Sequence, residues 1–405
     1  MRDIILITVT GPDKIGLTAA LTDELSRFHV TILDISQAVI HNRLLLGLMI
    51  EVPPESESAP VLKQLMYVAS KLGVDLSFSP IELSEYESWV SSHGKKRHII
   101  TLVGSVIRAL DISRVAAIVM ENDLNIEFIN RLSGRISLQK ADPDSRACIE
   151  LSVRGTPRNI TAMRSEFLQI SQELGIDIGL QEDTPFRRNR RLVAFDMDST
   201  LIDAEVIDEL AKLAGAGDEV AGITASAMRG EIDFKESLRR RVGLLKGLSE
   251  DVLQEVAGQL PLTDGAERLI SVLKALGYKI AILSGGFTYF GEHLKKRLGF
   301  DYVYANVLEI KNGQLTGKIS GDIVDGPGKA RLLSEIAQQE NVNLQQVIAV
   351  GDGANDLPML DIAGLGIAFH AKPLVKKGAK QAISHGGLDT ILYFLGIRDR
   401  EAVFD

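Results

Sequence analysis

Residues 191–200 read Arg191-Leu192-Val193-Ala194-Phe195-Asp196-Met197-Asp198-Ser199-Thr200. An apolar run of strand length followed at once by two carboxylates has the pattern of a buried parallel strand at its C-terminal tip, where ligands of open α/β sheets bind. Two acids one residue apart repel each other there unless a cation lies between them, and Mg2+ is the usual answer. Taken alone, the commoner explanation of the stretch is a solvated Asp-x-Asp turn. The rest of the C-terminal half decides between the two readings.

From residue 192 onward, strand-like runs at 192–196, 279–284, 303–307, 347–351 and 365–369 alternate with long helical segments, the pattern of a parallel sheet with crossovers. Residues 197 to 278 exceed what one crossover needs and are largely helical in pattern, so a helical cap over the site is expected at about 204–265. The second strand ends in Ser284-Gly285-Gly286-Phe287-Thr288, whose small residues let the backbone approach an anion. Lys329 follows Gly326-Pro327-Gly328 at a helix start, and the fourth strand ends in Gly351-Asp352-Gly353-Ala354-Asn355-Asp356, two further hard oxygen donors. Each signal has an ordinary reading as a turn, a solvated lysine or a capped loop. Four in this order, all at strand tips or helix starts, outweigh those readings together.

With these residues in place, the segment from 190 to 397 resembles the phosphoserine phosphatase family of the haloacid dehalogenase superfamily. The resemblance implies a Rossmann-like α/β core in which Asp196 attacks phosphorus to form an aspartyl-phosphate. Asp198 would protonate the departing oxygen and then activate water, roles suited to a carboxylate nucleophile and a carboxyl acid–base. It further implies Mg2+ held by Asp196, the backbone carbonyl of Asp198 and Asp352. Asp356 would assist through a water or pair with Lys329, while Ser284, Gly285, Lys329 and Asn355 hold phosphoryl oxygens. From the cap, Glu205 would meet a substrate ammonium and Arg241 a substrate carboxylate, with Met228 and Phe234 as apolar lid residues. The implied reaction is hydrolysis of O-phospho-L-serine to L-serine and phosphate, the last step of serine biosynthesis. Two other readings stay open: a phosphotransferase that passes the phosphoryl group to an alcohol, and a serine-sensing regulatory protein with a decayed catalytic site. Residue type alone makes Arg241 a surface arginine and Met228 and Phe234 ordinary cap core.

The front half carries the order βαββαβ twice, at 1–85 and 95–182, with 82–96 read as a linker and Gln181–Arg191 as a second connection. Both blocks resemble ACT domains, small α+β ferredoxin-like modules that bind amino acids. In the first, Gly11-Pro12-Asp13-Lys14-Ile15-Gly16 carries the resemblance, and Gly11, Asp13 and Gly16 form a candidate regulatory ligand loop with backbone amides open to a carboxylate. The second block's turn, from Gly104 to Asp111, lacks that pattern and suits packing or dimerisation. Scaffold-only roles remain open for both modules. Apolar sheet faces favour a homodimer through the ACT-like modules.

Composition narrows the rest. The 405 residues carry 45 basic and 54 acidic side chains, net −9, which argues against a nucleic-acid footprint or attachment to an anionic membrane. Cys148, the single cysteine, cannot form an internal disulfide, and residues from Met1 on lack a secretory pattern, so a cytoplasmic protein is expected. No apolar run approaches the roughly 20 residues of a membrane span. His29, His41, His93, His98, His293, His370 and His385 show no ligand spacing and read as surface, turn or satisfied residues.

Overall fold

The computed structural model describes residues 3–54, 57–91, 94–135, 137, 139 and 145–403. By its contacts the chain divides into two units, Met1–Lys95 and Lys96–Asp405. In the first, β1 (Asp3–Pro12), α1 (Leu17–Ser26), β2 (Thr31–Ile40), β3 (Arg43–Val52), α2 (Ser58–Leu72) and β4 (Asp75–Ile81) build an antiparallel sheet of order β2-β3-β1-β4. Period-two alternation puts Leu44, Leu46, Leu48, Ile50 and Val52 of β3 on the helix-covered face, where they pack with Leu17, Leu21 and Leu25 of α1. The stretch expected to be a linker holds a helix, α3 (Leu83–Ser91), none of whose residues is buried. Its Glu- and Ser-rich composition hid a helix without a core-facing stripe. Residue 92 and His93 lie outside the described residues.

The second unit opens with the same order: β5 (Arg97–Gly104), α4 (Ala109–Glu121), β6 (Asn125–Arg131), β7 (Ala147–Arg154), α5 (Ile160–Leu174) and β8 (Asp177–Glu182), in a sheet ordered β6-β7-β5-β8. One packing device recurs at equivalent places. A Cβ on Gly11 would lie 2.7 Å from Val74 Cγ1, and one on Gly104 would lie 2.8 Å from Ile176 Cγ2, so each first strand needs glycine beside the residue leading into the last strand. Gly11 therefore belongs to β1, paired opposite Leu44, rather than to the turn at the helix start. His98 also departs from expectation, being buried with no partner for Nδ1, and burial lowers its pKa.

The remainder of this unit is a seven-stranded sheet of order β12-β11-β10-β9-β13-β14-β15, parallel except for the β11–β12 hairpin. Its central strand β9 (Leu192–Phe195) is followed by four helices, α6 (Val206–Leu213), α7 (Gly217–Met228), α8 (Phe234–Gly243) and α9 (Asp251–Gln259). Then come α10 (Ala266–Ala275), β10 (Lys279–Phe287), α11 (Thr288–Leu298), β11 (Tyr302–Lys311), β12 (Gln314–Ser320) and α12 (Gly326–Gln339). The chain continues through β13 (Val347–Gly351), α13 (Leu357–Ile362), β14 (Leu365–Phe369), α14 (Pro373–Gly378), β15 (Gln381–Ile383) and α15 (Thr390–Phe394). All four residues of β9 are buried, as a strand covered on both faces requires. Strands β12 and β15 were absent from the sequence reading, although Asn312-Gly313, both at positive φ, is a hairpin signal between β11 and β12.

The close approaches predict that Gly11→Ala lowers the stability of the first unit and Gly104→Ala that of the second, each by about 1–3 kcal/mol. Denaturant unfolding measures both, and a wild-type midpoint for either variant would show that the strand can retreat.

Candidate active site

Parallel pairing of β9 with β10 and β13 brings three strand tips together. Asp196 follows β9 directly and is held in line by its backbone N–H donating to Val350 O at 2.8 Å. Asp352 follows Gly351 at the tip of β13, and Ser284 interrupts β10, whose pairing with β11 shifts register between Leu283 and Phe287. Lys329, on the first turn of α12, is completely buried, and its Nζ lies 2.8 Å from Asp196 Oδ1 and 2.6 Å from Asp356 Oδ1. The Lys329–Asp356 pairing anticipated from sequence is thus present, and Asp196 joins it.

These groups form an acidic cluster with too little positive charge. Ligand atoms of Asp196, Asp352 and Asp356 all lie within 4.8 Å of one another, the arrangement of a candidate metal centre. Desolvation, helped by the Asp196 and Asp356 charges, pushes the Asp352 carboxyl up to about 7. Asp356 also rises to about 7, chiefly through desolvation and then the charge of Asp196. Burial works against the Lys329 ammonium, yet Asp196 and Asp356 more than compensate and raise its pKa. Asp198 is pushed well above the ordinary carboxylate range by desolvation and by Glu205 and Asp196. Its Oδ1 accepts from Val206 N at 3.0 Å, tying it to the start of α6. A Cβ on Gly286 would fall 2.4 Å from Asp198 Oδ2, so this carboxylate sits where only a glycine leaves room.

A cavity of about 910 Å3 opens over this cluster, lined by Asp196, Asp198, Ser284, Gly285, Asp352 and Asn355 from the core. Glu205, Met228, Phe234 and Arg241 line it from the cap region. Glu205 accepts from Ser199 Oγ at 2.9 Å, and desolvation raises its carboxyl. Burial lowers the pKa of Arg241, whose buried Nε–H finds no hydrogen-bond partner. Met228 is 68% exposed at the rim, while Phe234 is half-buried against Gly285. Apart from the regulatory loop, every residue singled out in the sequence thus meets at one cavity or, for Lys329 and Asp356, in the ion pairs beneath it.

Sequence reasoning missed the groups that hold these residues. Asn306, 1% exposed, donates from Nδ2 to Gly285 O at 2.8 Å and accepts from Val324 N at 2.9 Å, fixing the Ser284–Gly286 loop. A lone amide within the apolar run of β11 was the available signal. Asp325 caps α12, accepting from Gly328 N at 2.9 Å, and pairs with Lys235 at 3.0 Å. Thr200, fully buried, donates to Asp352 Oδ1 at 3.4 Å.

In the first unit, Gly16 stands at φ 85° before α1, Asp13 N donates to Asn42 O at 2.8 Å, and Ile15 is fully exposed. The corresponding helix start of the second module is filled by the protein itself. Buried Asp111 accepts from the Arg108 backbone N–H at 2.7 Å and pairs with its guanidinium at 2.8 Å.

A parallel α/β sheet with catalytic-type carboxylates at its strand tips and a helical insertion after the first strand defines a class of hydrolase. Accordingly, residues 193–361 match the haloacid dehalogenase-like hydrolase family and residues 3–79 the ACT domain. The chain is 39% identical over 98% of its length to a phosphoserine phosphatase of Streptomyces coelicolor, covering 93% of that protein. To a phosphoserine phosphatase of Mycobacterium tuberculosis it is 40% identical over 97% of its length and 93% of the relative's. Among solved structures, a probable phosphoserine phosphatase of Vibrio cholerae in unliganded form is 36% identical with a TM-score of 0.59, matching 74% of this chain and 86% of that one. The chain belongs to the phosphoserine phosphatase family of haloacid dehalogenase-like enzymes.

Carboxyls whose pKa is higher folded than unfolded bind more protons in the native state, so their contribution to stability is lost as pH rises from about 4 to about 7. Chelator-treated protein should therefore gain about 1–3 kcal/mol at pH 8 from Asp352→Asn and little at pH 4. Thermal unfolding of both proteins across that range checks this, and an equal effect at both pH values refutes it.

Proposed function

We propose that this enzyme is a Mg2+-dependent phosphatase that hydrolyses O-phospho-L-serine to L-serine and phosphate, the last step of serine biosynthesis. The observation carrying the proposal is the single cavity in which Asp196, Asp198 and Lys329's ion pairs lie below an acid and an arginine of the cap region. Glu205 suits a substrate ammonium. Arg241, with an unpartnered buried Nε–H, suits a carboxylate. Opposite charges lining the same cavity as a phosphate site favour a phosphorylated amino acid over a sugar phosphate.

The donor set fits a hard cation, since its members are carboxylate oxygens with a deficit of positive charge. Asp196, Asp352 and the backbone carbonyl of Asp198 would hold Mg2+, with Asp356 supporting through Lys329. When bound, the ion supplies charge neutralisation for the phosphoryl oxygens. Asp196 supplies a carboxylate oxygen that bonds to phosphorus as the P–O bond to the seryl oxygen breaks, leaving an aspartyl-phosphate. Asp198, whose carboxyl burial pushes well above the ordinary carboxylate range, gives its proton to that oxygen. It then takes a proton from the water that releases phosphate and regenerates Asp196. Ser284, the Gly285 amide, Lys329 and Asn355 hold the phosphoryl oxygens, and Met228 and Phe234 border the opening as apolar lid residues.

For the first module we infer a regulatory role: L-serine at Asp13–Gly16, its carboxylate on the α1 start, with Gly11 shaping the strand below. A homodimer through the ACT-like modules is supported by edge strand β2, where Ile32, Ile35, Val39 and Ile40 are exposed. A cytoplasmic setting accords with the single, buried Cys148. No helix among the described residues is long and apolar enough to cross a membrane.

Phosphate release from O-phospho-L-serine should exceed that from sugar phosphates, stop in EDTA and return with Mg2+. Asp196→Asn should lower kcat by at least about 10^4-fold with the fold retained. Preference for a sugar phosphate overturns the substrate, retained turnover overturns the nucleophile, and phosphoryl appearing on an added alcohol instead of as free phosphate makes the enzyme a transferase. Light scattering should give twice the chain mass, falling to one chain for Ile35→Lys/Val39→Lys. An unchanged dimer in that variant moves the interface elsewhere.

A further inference from the structure

The second βαββαβ module grips the catalytic unit at one place in particular. Asp177, the completely buried first residue of β8, lies against the turn that follows β15. Its Oδ1 accepts from Ser384 N at 2.6 Å and His385 N at 3.2 Å, and its Oδ2 accepts from Gly386 N at 2.8 Å. Three consecutive amides converge on one carboxylate of another module, an anion nest filled by the protein's own anion. Three strand residues further, Leu180 N donates to Gln381 Oε1 at 2.8 Å, and the Gln381 amide donates back to Leu180 O. Behind these bonds the module's Val103, Leu132 and Cys148 share a core with Leu392, Tyr393 and Phe394 of α15.

What this grip holds is a wall of the active-site cavity. The chain from His370 to Gly386 leaves β14, passes through α14 and returns along β15, and its Lys372, Leu374 and Val375 line the cavity. That excursion is tied back, at its start and again from α14, to the turn Asp177 holds. His370 Nε2 is 2.9 Å from Gly386 O, and Lys376 Nζ donates from within α14 to Ser384 Oγ at 2.7 Å. At the far end Lys372 Nζ reaches Met228 Sδ of α7 at 3.4 Å, so the wall touches the cap region. Leu374 stands 73% exposed at the rim. Val375 is buried with Ala368 and Ala371, so the wall has a small apolar anchor of its own, and the Ser384–Gly386 turn supplies its polar ties.

We propose that Asp177 is a positioning residue for the phosphatase site, setting the Lys372–Val375 wall through the Ser384–Gly386 turn, so that the second module is a structural part of substrate binding. The chemistry at Asp196 does not depend on the wall, whereas retention of a substrate beneath the cap does. This rests on the phosphoserine reading above. Asp177→Asn preserves size but removes the charge and one acceptor from the three amides. In the full-length enzyme with Mg2+, it should raise KM for O-phospho-L-serine by about tenfold with kcat within about twofold. For p-nitrophenyl phosphate, which lacks the amino-acid end, kcat/KM should stay within about twofold. Asp177→Glu should recover part of the KM. Ser384→Ala removes only the Lys376 anchor; it should raise KM in the same direction and be less than additive with Asp177→Asn. Equal loss on both substrates, or a fall in kcat alone, would make Asp177 merely structural and overturn the proposal; unchanged KM in a folded variant does so too. Wild-type enzyme inactive on O-phospho-L-serine would instead defeat the reading beneath it.

Discussion

One ammonium group, Lys329 Nζ, lies between Asp196 and Asp356 with no solvent exposure, and the catalytic half is arranged around the charge it fails to balance. Removing carboxylates from water is expensive unless they are paired, and here Asp196, Asp198, Asp352 and Asp356 face a single buried cation. Desolvation first, and then the neighbouring carboxylate charges, push three of them above the ordinary carboxylate range. A hard divalent cation is the kind of group that would relieve the charge imbalance. The parallel sheet is the means of assembling such a group. Three neighbouring strands end at one level, and the rigidity of β9, β10 and β13 holds like charges at distances that loops would relax.

The cap region is coupled to this chemistry through backbone, not through a separate recognition element. Asp198 accepts from Val206 N, the first residue of α6, and Ser199 donates to Glu205 just before it. The group suited to proton transfer and the group suited to a substrate ammonium are therefore seven residues apart on one short excursion. Movement of α6 alters both at once. Arg241 closes the set from α8, where desolvation leaves a guanidinium N–H without a protein partner.

The strand tips were legible because they combine two local signals, an apolar run and a sudden carboxylate or glycine, that need no tertiary knowledge. Asp196, Asp198, Ser284 and Asp352 are of this kind. Elements without such contrast escaped: α3 presents no buried stripe, and β15 is three residues long. Asn306, Asp325 and Thr200 escaped for another reason. Each acts on a partner distant in sequence, as Asn306 does on Gly285 and Val324, and no spacing rule encodes such a contact. Gly11 was read as a turn residue when its glycine character answers to Val74, a side chain more than sixty positions away.

The two βαββαβ modules show how far one fold leaves its use undetermined. Both begin with apolar strands, Ile4 to Val9 and His98 to Val103, that read alike in sequence. In β1 burial alternates along the strand, whereas six consecutive residues of β5 are buried. The difference lies in what covers the second face: the core containing Val103 and Cys148 continues into α15, while edge strand β2 of the first module keeps isoleucines in solvent. Ligand capacity follows the same division. Where the sheet is committed to the catalytic unit, Asp111 and Arg108 occupy the helix start and Asp177 occupies the turn beyond β15, so that internal carboxylates take the places an external one would need. Where the sheet is uncommitted, the α1 start carries no side-chain cap. Packing against the hydrolase core thus spends the second module's sheet face and helix start on internal contacts, so a shared fold does not imply a shared use.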